Sequence, residues 1–285
     1  MARDLKLRLK KEELRRLYLE QKKSLEDIAR IYGVSRVAVW KYCRNEGLTM
    51  RTRSEARLEA QKNGKVPQNY YYINDRFFNT WNNETAYILG LLITDGCLSR
   101  AKKGSYRISL CLNDKELLKK VADAMGSKHA ITLSRHQEGL HVFIFGRRRL
   151  VEDLMILGMK PRKSLDIKFP DVPTQYLRDF IRGVFDGDGC VYYRTGSKTK
   201  LLNTSFVSAS KNFIYGLESA LHILGMAKRK IYEYQNKNMQ TKNIYYTLRY
   251  CHKESLELFK IMYEGLKNNL YLERKYDKFK SVIGQ

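Results

Sequence analysis

Apolar residues recur along this chain with two different periods, and the changes of period divide it into elements. In residues 10–22, KKEELRRLYLEQK, Leu14, Leu17 and Tyr18 fall on one face of a helix. Ser24, followed three residues later by Asp27, is close to a capping box and opens a second helix over 25–32. Gly33 supplies a turn that can use positive φ. Ser35 caps a third helix over 36–46, which Gly47 ends. Ile28, Val34, Val39 and Tyr42 are spaced to close a small core, and Ala29 is small enough to stand where two helices approach. Between 48 and 80 large apolar residues thin out. The stretch TMRTRSEARLEAQKNGKVPQN reads as a basic linker with a short helix at 54–62, leading to the aromatic run Tyr70, Tyr71, Tyr72, Phe77, Phe78 and Trp81.

The remainder is a duplication. Residues 86–97 read AYILGLLITDGC and residues 179–190 read DFIRGVFDGDGC. Gly90 aligns with Gly183, Asp95 with Asp188, Gly96 with Gly189 and Cys97 with Cys190, at a constant offset of 93. After each motif the pattern alternates with period two (97–100 and 106–113; 190–194 and 202–209). A helix follows (114–126; 211–225), then two strands (129–136 and 140–146; 228–235 and 243–250), then a last helix (147–158; 253–265). Each half reads α-β-β-α-β-β-α. The expected class is α+β: two pseudo-symmetric halves with saddle-like antiparallel sheets, plus a small all-α domain. The expected domains are residues 1–47, a linker 48–80, a first repeat 81–170 and a second repeat 171–285.

Composition narrows the partners. The 285 residues hold 54 Lys+Arg against 30 Asp+Glu, a net charge of +24. Residues 1–66 carry +9 and the rest +15, so the excess is not a tail. A folded chain this basic attracts a polyanion by releasing its counterions, which points to nucleic acid. No apolar run approaches the roughly 18–20 residues of a membrane span, and no secretory leader is apparent. Five scattered cysteines without a C-x-x-C pair argue against a disulfide scaffold and for a reducing, intracellular location. Five histidines without clustering give no structural zinc site.

The three N-terminal helices, with Gly33 between the last two, resemble the helix-turn-helix DNA-binding family. The resemblance implies that Ser35, Arg36, Ala38 and Lys41 face the major groove, with Arg44 near phosphate. In the linker, Arg51, Arg53, Arg57 and Lys62 are candidates to track the backbone.

The paired motifs resemble those of the LAGLIDADG homing endonucleases, in their single-chain, two-motif form, over residues 84–283. Gly90 with Thr94 and Gly183 with Gly187 would let the two motif helices pack closely, bringing Asp95 and Asp188 together at their C-terminal ends. Two carboxylates at negative helix ends repel, an arrangement that makes sense around a hard divalent cation. The expected metal set is Asp95 and Asp188 with the preceding Thr94 and Gly187, the cation Mg²⁺ with Mn²⁺ as a substitute. Asp186 has no acid opposite it at Ile93 and, two residues from Asp188 on a helix, points elsewhere. The segments KPRKSLDIKFP (160–170) and YLERKYDKF (271–279) resemble the family region that places a lysine near the metals, so Lys163 and Lys275 are the expected basic catalytic groups, with the neighbouring Lys160, Arg162 and Arg274 as alternatives. Base contacts would come from the polar strand faces: Arg107, Ser109 and Asn113 in the first half, and Tyr192, Arg194, Asn243, Tyr245 and Arg249 in the second.

The resemblance implies a metal-dependent double-strand break at a long asymmetric DNA target, made by a monomer. The alternatives are a DNA-binding regulator that has lost cleavage and an RNA maturase that assists intron splicing, with RNA as its partner. An intein is not expected, because no splicing module is recognised around the motifs and the chain opens with Met1.

Overall fold

The computed structural model describes residues 9–63, 72–100, 105–135, 137–196, 200–235 and 243–283, without the side chains of Arg53, Ser54, Arg57, Leu58 and Gln61. The chain divides into two compact units, Met1–Tyr70 and Tyr71–Gln285.

In the first unit, α1 (Lys11–Arg15) widens into a π turn over Arg16–Glu20, so the expected helix over 10–22 is interrupted. Helix α2 (Leu25–Tyr32) opens with a full capping box: the Ser24 hydroxyl accepts from the Asp27 amide at 3.1 Å, and Asp27 accepts from the Ser24 amide at 3.0 Å. Gly33 ends α2 at φ 64°. Ser35 caps α3 (Arg36–Asn45), and α4 (Arg53–Lys62) follows. Leu14, Leu17, Tyr18, Ile28, Ala29, Val39 and Tyr42 form the core. Ala38 joins them, only 6% exposed. It lies one turn before Tyr42 on the same helix face, so it packs inward instead of facing a groove.

The second unit contains both repeats. The first runs α5 (Asn83–Asp95), β1 (Gly96–Arg100), β2 (Tyr106–Leu112), α6 (Lys115–Ala124), β3 (Ile131–Leu133), β4 (His141–Phe145) and α7 (Arg148–Ile156). The second runs α8 (Leu177–Asp188), β5 (Cys190–Tyr193), β6 (Leu202–Ser208), α9 (Lys211–Ile223), β7 (Tyr232–Gln235), β8 (Ile244–Tyr250) and α10 (His252–Tyr263). The antiparallel sheets have matching orders, β1-β2-β4-β3 and β5-β6-β8-β7. This is the expected α+β pattern twice over. One further helix, α11 (Glu273–Ile283), breaks the symmetry. A single apolar core runs through both halves. Ile108, Leu110 and Leu112 turn inward from β2, as their alternation requires. Ile73, Phe77 and Phe78 also belong to this core, so the second unit begins inside the expected linker. Among the described residues no helix is long and apolar enough to cross a membrane.

Candidate active site

Helices α5 and α8 pack along their length, and two glycines set the approach. A β-carbon on Gly90 would run into the Phe180 carbonyl oxygen and stand 2.9 Å from the Val184 nitrogen. One on Gly183 would strike the Tyr87 carbonyl oxygen and stand 3.0 Å from the Leu91 nitrogen. Real β-carbons do not come so near backbone, so only glycine permits this contact. A turn later the Thr94 side chain lies against Gly187, where a β-carbon would stand 3.1 Å from Asp95 Oδ2. The two Asp-Gly ends therefore lie side by side, close enough for the Asp188 charge to act on Asp95.

Asp95 is half-buried. Desolvation, then the charge of Asp188, pushes its pKa up to about 6, against the opposing pull of Lys275 and Lys163. Asp188 is open to solvent on one side, yet desolvation by the surrounding protein raises its pKa too, with Lys163 and Lys275 again opposing.

Each carboxylate has a lysine beside it. Lys163 starts a 3₁₀ turn (Lys163–Leu165) entered through Arg162 at φ 55°. Its ammonium donates to the Thr94 carbonyl at 2.9 Å. Lys275 lies in the first turn of α11 and donates to the carbonyls of Phe185 (2.6 Å), Asp186 (2.8 Å), Gly187 (3.2 Å) and Gly189 (2.5 Å). Both lysines thus cap the C-terminal carbonyls of the motif helices, where a cation is favoured. Burial lowers both pKa values, that of Lys275 to about 8. The carbonyls of Thr94 and Gly187, two residues of the expected metal set, accept from these ammonium groups. The Thr94 hydroxyl turns back to the Leu91 carbonyl at 2.9 Å.

Behind the carboxylates lies a buried polar network that the sequence reading missed. Asp186, 1% exposed, accepts from the Tyr87 hydroxyl (2.8 Å), the Tyr263 hydroxyl (3.3 Å) and the Leu272 amide (2.8 Å). Arg182, fully buried, donates to the carbonyls of Leu270 (2.9 Å) and Met262 (3.0 Å), to Asp179 (2.7 Å) and to Asn268 (3.0 Å). The Asp179 carboxylate also accepts from Asn83 at 2.7 Å, joining the halves at the other end of the helix pair. A signal existed: an Arg with an Asp three residues before it, inside an apolar helix.

The sheets bring the strand candidates to one face in each half. Arg107 is exposed and Ser109 half-buried, and Asn113 is exposed just beyond β2. In the second half Arg194 and Arg249 are exposed, while Tyr192, Asn243 and Tyr245 are half-buried. Tyr245 stacks on Tyr234, ring centres 5.6 Å apart. In the first unit Ser35, Arg36, Lys41 and Arg44 are exposed, beside Val37 and Trp40. Arg51 is different. Its guanidinium lies 4.2 Å over the Tyr18 ring and donates to the Lys22 carbonyl at 3.0 Å and to the Lys23 carbonyl, so it closes its own unit instead of reaching outward. The side chains of Arg53 and Arg57 lie outside the described residues. Among the described residues no three or more His, Cys, Asp or Glu side chains gather as a metal cluster.

Residues 175–261 match the model of the LAGLIDADG-like domain. The chain is 30% identical over 227 residues to the probable translation initiation factor IF-2 of Methanocaldococcus jannaschii, covering 75% of this chain and 18% of that protein. It is 22% identical over 192 residues to the intron-encoded RNA maturase bI4 of Saccharomyces cerevisiae, covering 60% of this chain and 29% of the maturase. The chain thus spans less than a third of the length of either relative. Similar solved structures include I-DmoI in complex with DNA and Ca (14% identity, TM-score 0.45, 71% of this chain and 98% of that one). Another is the LAGLIDADG meganuclease I-AabMI bound to uncleaved DNA (10% identity, TM-score 0.46, 72% and 90%).

Proposed function

With a LAGLIDADG-like domain over residues 175–261 and the same plan repeated before it, we propose that the chain is a divalent-metal-dependent DNA endonuclease that cuts both strands of a long asymmetric site. The observation that carries this reading is the meeting of Asp95 and Asp188 at the ends of helices held together by Gly90 and Gly183. Two carboxylates so placed, a half-buried Asp95 whose ionisation the charge of Asp188 opposes and a more open Asp188, offer hard oxygen donors, which fits Mg²⁺ with Mn²⁺ as a substitute. A cation there supplies activation of water and stabilisation of the leaving oxygen. Asp95 and Asp188 would hold it. Lys163 and Lys275 keep positive charge beside the scissile phosphates and hold the helix ends still. The exposed strand residues Arg107, Arg194 and Arg249 contact the duplex. The first unit, through Ser35, Arg36, Lys41 and Arg44, lengthens the footprint, and one chain serves one target.

A second reading, as an RNA-binding maturase, is favoured by one observation. Tyr192, Tyr232, Tyr234 and Tyr245 share the outer face of the second sheet, where unstacked bases of RNA find partners. The discriminating experiment incubates the protein with a randomised duplex library and Mg²⁺, then sequences the cut ends. Recurrent paired cuts at one asymmetric sequence support the endonuclease. A library left intact by a protein that retains structured RNA on a filter supports the maturase.

A further inference from the structure

The two candidate lysines are held in place by different means. Lys163 reaches its helix end from a short turn and makes one hydrogen bond there. Lys275 reaches its end from α11, which has no counterpart in the first half. The last turn of α10 and the chain from it to α11 are fastened to α8 by the buried side chains of Arg182 and Asp186. Arg182 takes the Met262 and Leu270 carbonyls and the Asn268 side chain, and Asp186 takes the Tyr263 hydroxyl and the Leu272 amide. Leu272 is three residues before Lys275, and its carbonyl accepts from the Lys275 amide at 3.0 Å. Asp186 thus grips the residue from which the first turn of α11 is built. In the first half the matching positions are Leu89 and Ile93, which are apolar.

We propose that Asp186, backed by Arg182, is a positioning residue for Lys275, and that it acts on one half of the cleavage centre only. The carboxylate touches neither the outer face nor a phosphate path, since it is buried under Tyr87, Tyr263 and Leu272. Its effect reaches the centre through α11. The consequence for cleavage rests on the endonuclease reading; the positioning itself does not.

The test is trace acetylation of lysines in the metal-free full chain, read peptide by peptide by mass spectrometry. In Asp186→Ala, Lys275 labelling should rise about tenfold over wild type while Lys163 stays within about twofold, because a buried charged acceptor is lost on one side only. Tyr263→Phe, which removes one of the three hydrogen bonds, should shift Lys275 in the same direction by less, and it decides the matter if Asp186→Ala does not fold. On a cleavable duplex labelled on both strands, the same variants should slow one strand more than the other and accumulate a nicked product. Equal rises at Lys163 and Lys275, or no rise at either, would overturn the proposal. A wild-type protein that cuts no duplex would overturn the endonuclease reading alone, since the labelling ratio still decides the positioning.

Discussion

The two motif helices occupy equivalent places in their halves, yet they are built from different chemistry. At the contact they agree: Gly90 and Gly183 touch backbone, and Asp95 and Asp188 close the helices. Away from it they diverge. Where α5 has Ala86, Leu89 and Ile93, α8 has Asp179, Arg182 and Asp186, all buried. A buried charge is tolerated only when its donors and acceptors are met. Here they are met by the end of α10 and the chain that leads to α11, by Asn83 and Tyr87 of α5, and by the Arg182–Asp179 pair itself. The difference teaches that the shared axis constrains both helices alike, because each residue there faces its own copy. The means of bringing a lysine to each helix end is not so constrained.

The largest expected effect tests where the halves agree. Asp95→Asn or Asp188→Asn should each lower double-strand cleavage by about a thousandfold or more while DNA retention persists, because the lost charge sits at the metal and not along the extended interface. Strand-resolved assays check this, and full activity in either variant would break the equivalence. The next effect tests where they differ. Arg182→Met should cost about 3–5 kcal/mol, since it strands Asp179 in the core. Leu89→Met, at the matching position, should cost less than about 1.5 kcal/mol. Urea unfolding of both variants measures the gap, and equal costs would show that the buried network carries no particular load.

Much of this was legible in the sequence. A repeat at constant offset fixes which residues meet across a pseudo-two-fold axis, so Gly90, Gly183, Asp95 and Asp188 could be paired before any coordinates. Ser24, Gly33 and Ser35 were legible because caps and left-handed turns are local. Ala38 was not, because its side depends on how α3 rolls against α2, which a short helix leaves open. Arg51 was misread because a basic residue in a polar stretch carries no sign of the carbonyls and ring it folds onto. Asp186 and Arg182 were hidden for a related reason: their partners, Met262 to Leu272, are some eighty residues away. The appended helix α11 was seen only as a basic segment.

A smaller effect sharpens the glycine contact. Gly90→Ala and Gly183→Ala should each cost about 1–3 kcal/mol, because each added methyl meets backbone that must move. Thermal unfolding of the two variants should give similar shifts, and a large shift in one alone would show that the approach is lopsided.

The smallest effect concerns pH. The Asp95 pKa is pushed up to about 6 in the folded protein, above the usual carboxylate range, so its contribution to stability is fully present below the unfolded value and fades as pH rises through about 6. In the absence of metal, the melting temperature of wild type relative to Asp95→Asn should therefore drop between about pH 4 and pH 7, and added Mg²⁺ should restore it at the upper end. A difference that stays flat across that range would show that neither burial nor the neighbouring Asp188 charge raises the Asp95 pKa.

The central claim is that one chain supplies both carboxylates to one centre. The most direct measurement is complementation: Asp95→Asn and Asp188→Asn proteins are mixed in equal amounts and assayed on a duplex that wild type cuts. If each chain builds its own centre, every molecule in the mixture lacks one acid, and the mixture stays as inactive as either variant alone. Restoration of double-strand cleavage on mixing would mean that the centre is assembled between two chains, and would contradict the account.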